Sequence, residues 1–578
     1  MAAGKIRVST VARKAGVKNP MPGVIYPPPE RLEAYLESGD LGTTSLAQAL
    51  ADSFSRHADQ AALVTPDSLI TYAELDDASL RVAAALLALG LEPGDRILFQ
   101  CGNSSELVYL FIGCIRAGII PVCTLAAHRK QEIGFLGRFS DAKAHAVEQG
   151  HPGYDLEAFA LDMRTELPAI RYVLSVAGQQ TAAHQPSGQG VTRVADLIAA
   201  QPSGPARARV EQLEIDPFQV AVFQLSGGTT GVPKIIPRFG NDYLLNARIS
   251  ARALNFTEKD VIFCPMPMIH NACMVVFWIP ALLSGASFAI AGDLFPETWA
   301  RLFRKRRPTV AGMIRALLPR FDAMLEQVPD ALDHLRMFWA PDAARLVRTR
   351  YGKVTQCMFG MTEGLNMFTL AGDPNEVVDS TVGRPLIPED EVRVVRPGTE
   401  TLCDLDEEGE LQCRGPYTLS GYYNSPEHNR IAFTEDGFYR TGDLVVRREI
   451  GGNTYYAFSG RTKDVVDRGT EKISCEEIEA AVAVHPDVNA VAVVGMPDKR
   501  LGERVCAYLV PRNESSIPTV PELGQFLESF GLAKFKWPER IELIANLPVT
   551  KVGKFDKAAL RQDIEAKLAH ENHPGKTS

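Results

Sequence analysis

Positive charge is not in excess in this 578-residue chain: 61 Lys and Arg stand against 70 Asp and Glu, a formal net charge of -9. Nucleic-acid surfaces carry clustered positive charge, so partnership with nucleic acid is excluded on this reading. No Cys-x-x-Cys pair occurs among the ten cysteines (Cys101, Cys114, Cys123, Cys264, Cys273, Cys357, Cys403, Cys413, Cys475 and Cys506). Most sit in apolar runs, which points to buried free thiols and supports neither a disulfide framework nor a zinc site. The most apolar stretch, residues 275–292, is interrupted by Pro280, Ser284 and two glycines, so it reads as core rather than as a membrane span. The first 18 residues carry basic charge without a signal-peptide core. The cytoplasm is the expected compartment. Neither an internal repeat, a low-complexity tract nor an appended carrier-protein segment is read in the chain.

What is present is a long alternation of helix and strand. The length exceeds one ordinary core, so a large compound domain plus a smaller one is expected. Helical patterns over 31–38, 45–57, 72–89 and 107–117 alternate with short apolar strands at 61–64, 96–99 and 119–122, the signature of an α/β layer architecture. Residues 179–204, rich in Gln, Ala, Ser, Gly and Pro, read as a surface excursion. Strands are expected again near 262–267, 286–291, 309–313 and 337–339. From Val392 to Gly415 the pattern changes to short strands with Gly and Pro turns, a small β subdomain, and the last hundred residues read as a small α+β domain.

Chemistry concentrates first at Leu225-Ser226-Gly227-Gly228-Thr229-Thr230-Gly231-Val232-Pro233-Lys234. Glycines let backbone N–H groups approach a polyphosphate, and hydroxyls and a lysine add donors. The buried strand 219–223 precedes it. It is not a Walker A loop, because Pro233 precedes Lys234 and no Gly-Lys-Ser/Thr follows. A flexible surface turn is the other reading of the loop taken alone.

Four further segments follow in order: Phe359-Gly360-Met361-Thr362-Glu363-Gly364, Tyr439-Arg440-Thr441-Gly442-Asp443, Gly460-Arg461-Thr462-Lys463-Asp464, and Leu547-Pro548-Val549-Thr550-Lys551-Val552-Gly553-Lys554. With these the chain resembles, over almost its whole length, the adenylate-forming superfamily of acyl-CoA synthetases, aryl-acid AMP ligases and luciferases. Gln224-Leu225-Ser226-Gly227-Gly228, Asn241-Asp242-Tyr243 and His270-Asn271 are most similar to the aryl-acid AMP ligase branch.

The resemblance implies a large N-terminal domain (1–463), a mobile C-terminal domain (464–578) and a hinge at Lys463-Asp464. It implies a two-step reaction, in which a carboxylate attacks the α-phosphate of ATP and a thiol then takes the acyl group. Lys554 would bridge acid and α-phosphate, Thr362 would contact that phosphate, and Glu363 would hold Mg²⁺, a hard ion suited to carboxylate and phosphate oxygens. Ser226, Gly227, Gly228, Thr229, Thr230, Gly231 and Lys234 would cradle phosphates. Asp443 would accept from the ribose hydroxyls, with Arg461 in support. Taken alone, Lys554 and Glu363 also read as solvated charges, Asp443 as a turn residue and Arg461 as one half of an ion pair. His270, Asn271, Val276, Met358 and Gly360 would form the acid pocket, Asn271 answering a ring hydroxyl ortho to the carboxylate. A helix N-cap is the other reading of Asn271. Gly469 would line the thiol tunnel, although Thr470 follows where the branch has a second glycine.

One departure stands out. The Gly-Gly-Ala segment that lies against adenine in such proteins is matched by Asp342-Ala343-Ala344, and the stretch from there to Phe359 is shorter by about two helical turns. The function that the resemblance implies is an acyl- or aryl-CoA synthetase of secondary metabolism, using ATP or acyl-AMP, Mg²⁺ and coenzyme A on an aryl or bulky hydrophobic acid. An aryl-acid AMP ligase loading a free-standing carrier protein is one alternative. An enzyme performing only thioesterification of a preformed adenylate is another.

Overall fold

The computed structural model describes residues 17–178, 188–226, 233–341, 343–461, 464–468, 471–498, 501–513, 517–530, 532, 534–550 and 554–572. These divide into two compact units. The first takes residues up to Glu391 together with Cys413–Tyr439, and the second takes Val392–Gln412 with the chain from Arg440 onward. Compactness thus groups the small β subdomain with the C-terminal residues, whereas the expected boundary at Lys463-Asp464 names a point of rotation.

The first unit is built on two seven-stranded sheets. One runs in the order Val191–Arg193, Tyr172–Ala177, Ala144–Gln149, Arg96–Gln100, Ile120–Val122, β1 (Val220–Leu225) and β2 (Ile235–Phe239). Its strands are parallel except for the β1–β2 hairpin at its edge. The other runs Val354–Gln356, Met337–Trp339, Val310–Gly312, Val261–Phe263, Ser287–Ala289, Ala61–Val64 and Leu69–Thr71, antiparallel only at its last pair. Parallel strands need crossovers, and the helices that supply them cover the sheet faces. Local signals set the ends of these helices. Thr71 and Glu74 form a reciprocal capping box at the start of Tyr72–Ala88, and Gly118 closes Ser105–Ala117 in the left-handed conformation.

A polar clasp ties the two sheets together, and a second hydrogen bond ties elements of the second sheet to each other. Asn103, just past the strand Arg96–Gln100, donates to the carbonyls of Met266 and Ala291 at 3.1 and 3.0 Å, and its Oδ1 accepts from the Met268 N–H at 2.7 Å. The buried hydroxyl of Tyr72 donates to the Ala286 carbonyl at 2.7 Å. All ten cysteines are buried and unbridged.

The stretch 179–204 was expected to be an excursion, and residues 179–187 lie outside the described ones. The remainder corrects that expectation. Val191–Arg193 adds an edge strand beside Tyr172–Ala177, and the helices Val194–Ala199 and Ser203–Val210 follow. These elements are too short to show a period in sequence, yet Val194 and Leu197 are buried.

The elements that carry the site come next in the first unit. Helix α1 (Gly240–Ala253) leaves β2, helix α2 (Ala344–Tyr351) leaves the strand Met337–Trp339, and β3 (Met358–Met361) pairs antiparallel with β4 (Gly364–Phe368). In the second unit, β5 (Tyr439–Ile450) and β6 (Asn453–Arg461) form a hairpin turned by Gly451 and Gly452, within a four-stranded sheet. A further sheet, centred on the pair Val488–Asp498 and Gly502–Pro511, packs against helix α3 (Lys557–Asn572). Among the described residues no helix is long and apolar enough to cross a membrane.

Candidate active site

The glycine-rich segment links β1 to β2 in sequence. Residues 227–232, which include Gly227, Gly228, Thr229, Thr230 and Gly231, lie outside the described ones, but both ends are held. The Ser226 N–H donates to the Lys234 carbonyl at 2.9 Å, and the Lys234 N–H returns to Ser226 Oγ at 3.1 Å. Lys234 Nζ sits 5.5 Å from the centre of the Tyr422 ring.

Tyr422 connects this lysine to Glu363. Its hydroxyl donates to Glu363 Oε1 at 2.7 Å and lies 2.8 Å from the Tyr439 hydroxyl. Burial, and after it the Glu363 carboxylate, push the Tyr422 phenol far above its ordinary value, so it remains a donor. Thr362 and Glu363 occupy the turn between β3 and β4. Gly364 follows at φ +145°, where a Cβ would lie 2.4 Å from the Thr418 Cα, so only glycine permits this approach of the chain.

Beneath the turn lies Arg238, with no exposed surface. Its guanidinium donates to the carbonyls of Thr362 and Tyr417, each at 3.0 Å, and to Asp242 Oδ1 at 3.3 Å. A buried charge needs such a complete set of partners. Burial raises the Asp242 carboxyl to about 6 against the opposing pull of Arg238. Sequence reading missed Tyr422 and Arg238. An arginine inside the apolar run Ile235-Ile236-Pro237-Arg238-Phe239 was the available signal for the second.

Of the residues expected to form the acid pocket, His270, Asn271 and Val276 lie at the start of and along one distorted helix. Segment 271–284 starts as α-helix, widens into a π-helical turn over Met274–Trp278, and resumes through Pro280. Such turns recur at functional sites. His270 is the N-cap, its Nδ1 accepting from the Ala272 N–H at 3.3 Å. The capping role is therefore taken, and the Asn271 side chain turns instead to Tyr243 of α1, whose hydroxyl lies 2.9 Å from Asn271 Oδ1. Gln224, on β1, donates its Nε2 to the same hydroxyl at 2.9 Å. Val276 is fully buried in the π-helical turn. On β3, Met358 is buried and Gly360 is exposed, the two sharing one face of the strand.

Ala343 and Ala344, expected near adenine, are buried, and Ala344 is the first residue of the eight-residue helix α2. Asp342 lies outside the described residues.

The second unit holds the other candidates. Asp443 of β5 is buried and stands opposite Arg461 of β6 in the ladder. Its N–H donates to Thr441 Oγ1 at 3.0 Å, and that hydroxyl donates to the Leu411 carbonyl at 2.7 Å. Lys463 and Gly469 lie outside the described residues. Asp464 accepts from Arg561 of α3 at 2.8 Å. Lys554 is exposed; the Thr550 N–H donates to its carbonyl at 2.6 Å and its own N–H donates to Thr550 Oγ1 at 3.2 Å.

Residues 50–423 match the family model described as AMP-binding enzyme, and residues 477–554 match that of the AMP-binding enzyme C-terminal domain. The chain belongs to the AMP-binding enzyme family. Within this adenylate-forming superfamily it falls in the aryl-acid AMP ligase branch. It is 38% identical to pyochelin synthase PchD of Pseudomonas aeruginosa, over 92% of this chain and 95% of that one. It is 35% identical to the salicyl-AMP ligase / salicyl-S-ArCP synthetase of Mycobacterium tuberculosis, over 94% of each. Among solved structures, apo MbtA of Mycobacterium smegmatis superposes with a TM-score of 0.69 at 34% identity, covering 93% of this chain and 98% of that one.

AMP-binding enzymes of this ligase type use ATP with Mg²⁺. The residues present fit that ion. Among the described residues no group of three or more His, Cys, Asp or Glu builds an all-protein cage. Glu363, with one oxygen held by Tyr422, matches a small cation that takes one or two carboxylates and completes its shell with phosphate oxygens and water.

Proposed function

We propose that this enzyme is an aryl-acid AMP ligase that adenylates an aryl carboxylic acid and passes the aryl group to the thiol of a carrier protein. The observation that supports the reading is the buried Gln224–Tyr243–Asn271 hydrogen-bonded chain, which orders the amide expected to meet the acid in the same compact unit that holds Thr362, Glu363 and Lys234. The carrier-protein acceptor is supported by the mycobacterial relative, a salicyl-S-ArCP synthetase.

In the first step a carboxylate oxygen attacks the α-phosphorus of ATP, the bond to the β-phosphate breaks, and pyrophosphate leaves. Ser226, Lys234 and the loop between them hold the phosphates, while Thr362 and Lys554 stabilise the charge that develops at the α-phosphate. Glu363 would hold Mg²⁺, which would neutralise phosphate charge. Asp443 and Arg461 hold the ribose. In the second step a thiolate attacks the acyl carbonyl and AMP leaves. Rotation at Lys463-Asp464 exchanges Lys554 for a thiol path by Gly469.

The test is pyrophosphate release from aryl acids with Mg-ATP, followed by thioester formation with a separate aryl carrier protein or with coenzyme A. Thioester on the carrier supports the reading, and turnover with coenzyme A alone returns the acceptor to the CoA-synthetase assignment. A second reading, thioesterification only, is favoured by the burial of Ala343 and Ala344 where adenine was expected. Thioester formed from preformed adenylate, without pyrophosphate release from acid and ATP, would establish it.

A further inference from the structure

Lys554 and the chain toward Gly469 belong to separate elements of the second unit. Lys554 stands shortly before helix α3, and the link between them is pinned. The Asp556 N–H donates to the Pro548 carbonyl at 2.8 Å, and Asp556 Oδ1 accepts from the Ala559 N–H at 3.1 Å, capping the first turn of α3. The direction of α3 therefore sets where the Lys554 backbone lies. Gly469, by contrast, follows in sequence the strand Val465–Arg468.

The two elements are joined to the body of the second unit unequally. Leu560 and Ile564 of α3 are buried against the strand pair Val488–Asp498 and Gly502–Pro511, and the Tyr508 hydroxyl donates to Asp563 Oδ2 at 2.6 Å. The strand Val465–Arg468 pairs along its length with Glu471–Ser474. Among the described residues it meets Gly502–Pro511 at one position only, Arg468 opposite Gly502, at its far end. Its near end is Asp464. There Oδ1 accepts from Arg561 Nη2 at 2.8 Å, across 97 residues of sequence, and the carbonyl accepts from the Cys475 N–H at 3.4 Å. Arg561 follows the buried Leu560 on α3, and the paired side chains are only 29% and 23% exposed, so solvent screens them less than a fully exposed pair.

We propose that Arg561 and Asp464 are positioning residues. Their ion pair fastens the helix that carries Lys554 to the strand that leads toward Gly469, so that both arms turn together at the hinge and Lys554 reaches the α-phosphate in register. This rests on the two-step ligase reading above and adds to it the contact that keeps the two arms in step. Lys554 acts in the first step and is withdrawn in the second. A loosened pair therefore costs adenylation, where a small misplacement of a reacting group is expensive, and spares thioester formation.

The experiment follows the half-reactions of the full-length enzyme separately: pyrophosphate release from a panel of aryl acids with Mg-ATP, and thioester formation from a supplied aryl adenylate. Arg561→Met keeps the apolar stem and removes the charge. It is expected to lower kcat for pyrophosphate release by roughly 10-fold, the low end for a lost bond to a charged group. The KM for ATP and the rate of thioester formation stay within about 3-fold of wild type. Exchanging the charges, Asp464→Arg with Arg561→Asp, restores adenylation to within about 3-fold. A merely structural role would instead lower the urea midpoint and depress both half-reactions alike. Should the exchanged pair fail to fold, Arg561→Lys decides, since the assignment requires it to adenylate faster than Arg561→Met. Unchanged adenylation in Arg561→Met, equal loss in both half-reactions, or a folded exchange that restores nothing overturns this assignment and leaves the ligase reading standing. No pyrophosphate from the wild type with any aryl acid overturns the ligase reading and this assignment together.

Discussion

The Tyr422 hydroxyl donates to Glu363 Oε1 at 2.7 Å, so the carboxylate proposed to hold Mg²⁺ is aimed by a residue 59 positions away in sequence. A hydrogen bond to a charged group contributes about 1.5–3 kcal/mol.

Tyr422→Phe removes that bond and leaves the ring beside Lys234. The expected outcome is a fall of roughly 10- to 100-fold in kcat/KM for Mg-ATP, partly recovered at high Mg²⁺. Steady-state adenylation at several Mg²⁺ concentrations checks it, and wild-type kinetics in the variant would remove Glu363 from the metal role.

Arg238→Met should destabilise the protein by roughly 3–5 kcal/mol, because it strands the Asp242 carboxylate and two carbonyls in a dry interior. The Thr362 turn loses its anchor at the same time. Urea denaturation followed by tryptophan fluorescence reads the loss, and a shift below about 1 kcal/mol would show that water replaces the guanidinium.

His145 is fully buried, its Nε2 3.0 Å from Gln100 Oε1, and burial pushes the imidazole down to about 3. A folded-state value below the unfolded one, about 6.5, means that the unfolded chain takes up the proton first. Stability from this site is complete above about pH 6.5 and is lost as pH falls from there toward 3, by about 2 kcal/mol at pH 5. His145→Gln should flatten that part of the acid limb. Urea midpoints at pH 7.5 and 5.0 compare the two proteins, and equal pH dependence would assign the loss to other groups.

Lys554→Ala should abolish adenylation, with a loss of at least about 100-fold, while leaving thioester formation from a supplied aryl adenylate largely intact. Separate half-reaction assays decide it. Equal damage to both steps would contradict a role confined to the first.

Asp342→Gly with Ala343→Gly probes the nucleotide side. If these side chains restrict adenine, the double variant tightens ATP binding several-fold, and unchanged affinity by calorimetry would remove the segment from nucleotide recognition.

Much of this protein is legible before folding. Strand and helix alternate with clear stops, so the layered architecture follows from period and from Gly, Pro and capping residues that act over a few positions. The ordered motifs were legible for the same reason: Thr362-Glu363 or Tyr439 to Asp443 is a local string whose chemistry survives being read in one dimension. The short elements of 188–210 were not, because three- to eight-residue pieces carry less than a full period of signal.

Side-chain direction belonged to the tertiary structure. In sequence, Asn271 reads equally as a helix cap or as a pocket residue, and only the fold shows His270 capping and Asn271 turned to Tyr243. Arg238, Tyr422 and Gln224 acquire their roles from partners 124, 59 and 19 residues away. Hydrogen bonds are short-ranged and directional, so a role that depends on one is settled only when packing brings donor and acceptor within about 3 Å. Residue types and their order determined the family and the chemistry available; which side chain caps the helix at 270–271 and which Glu363 oxygen is held were decided by the packed interior.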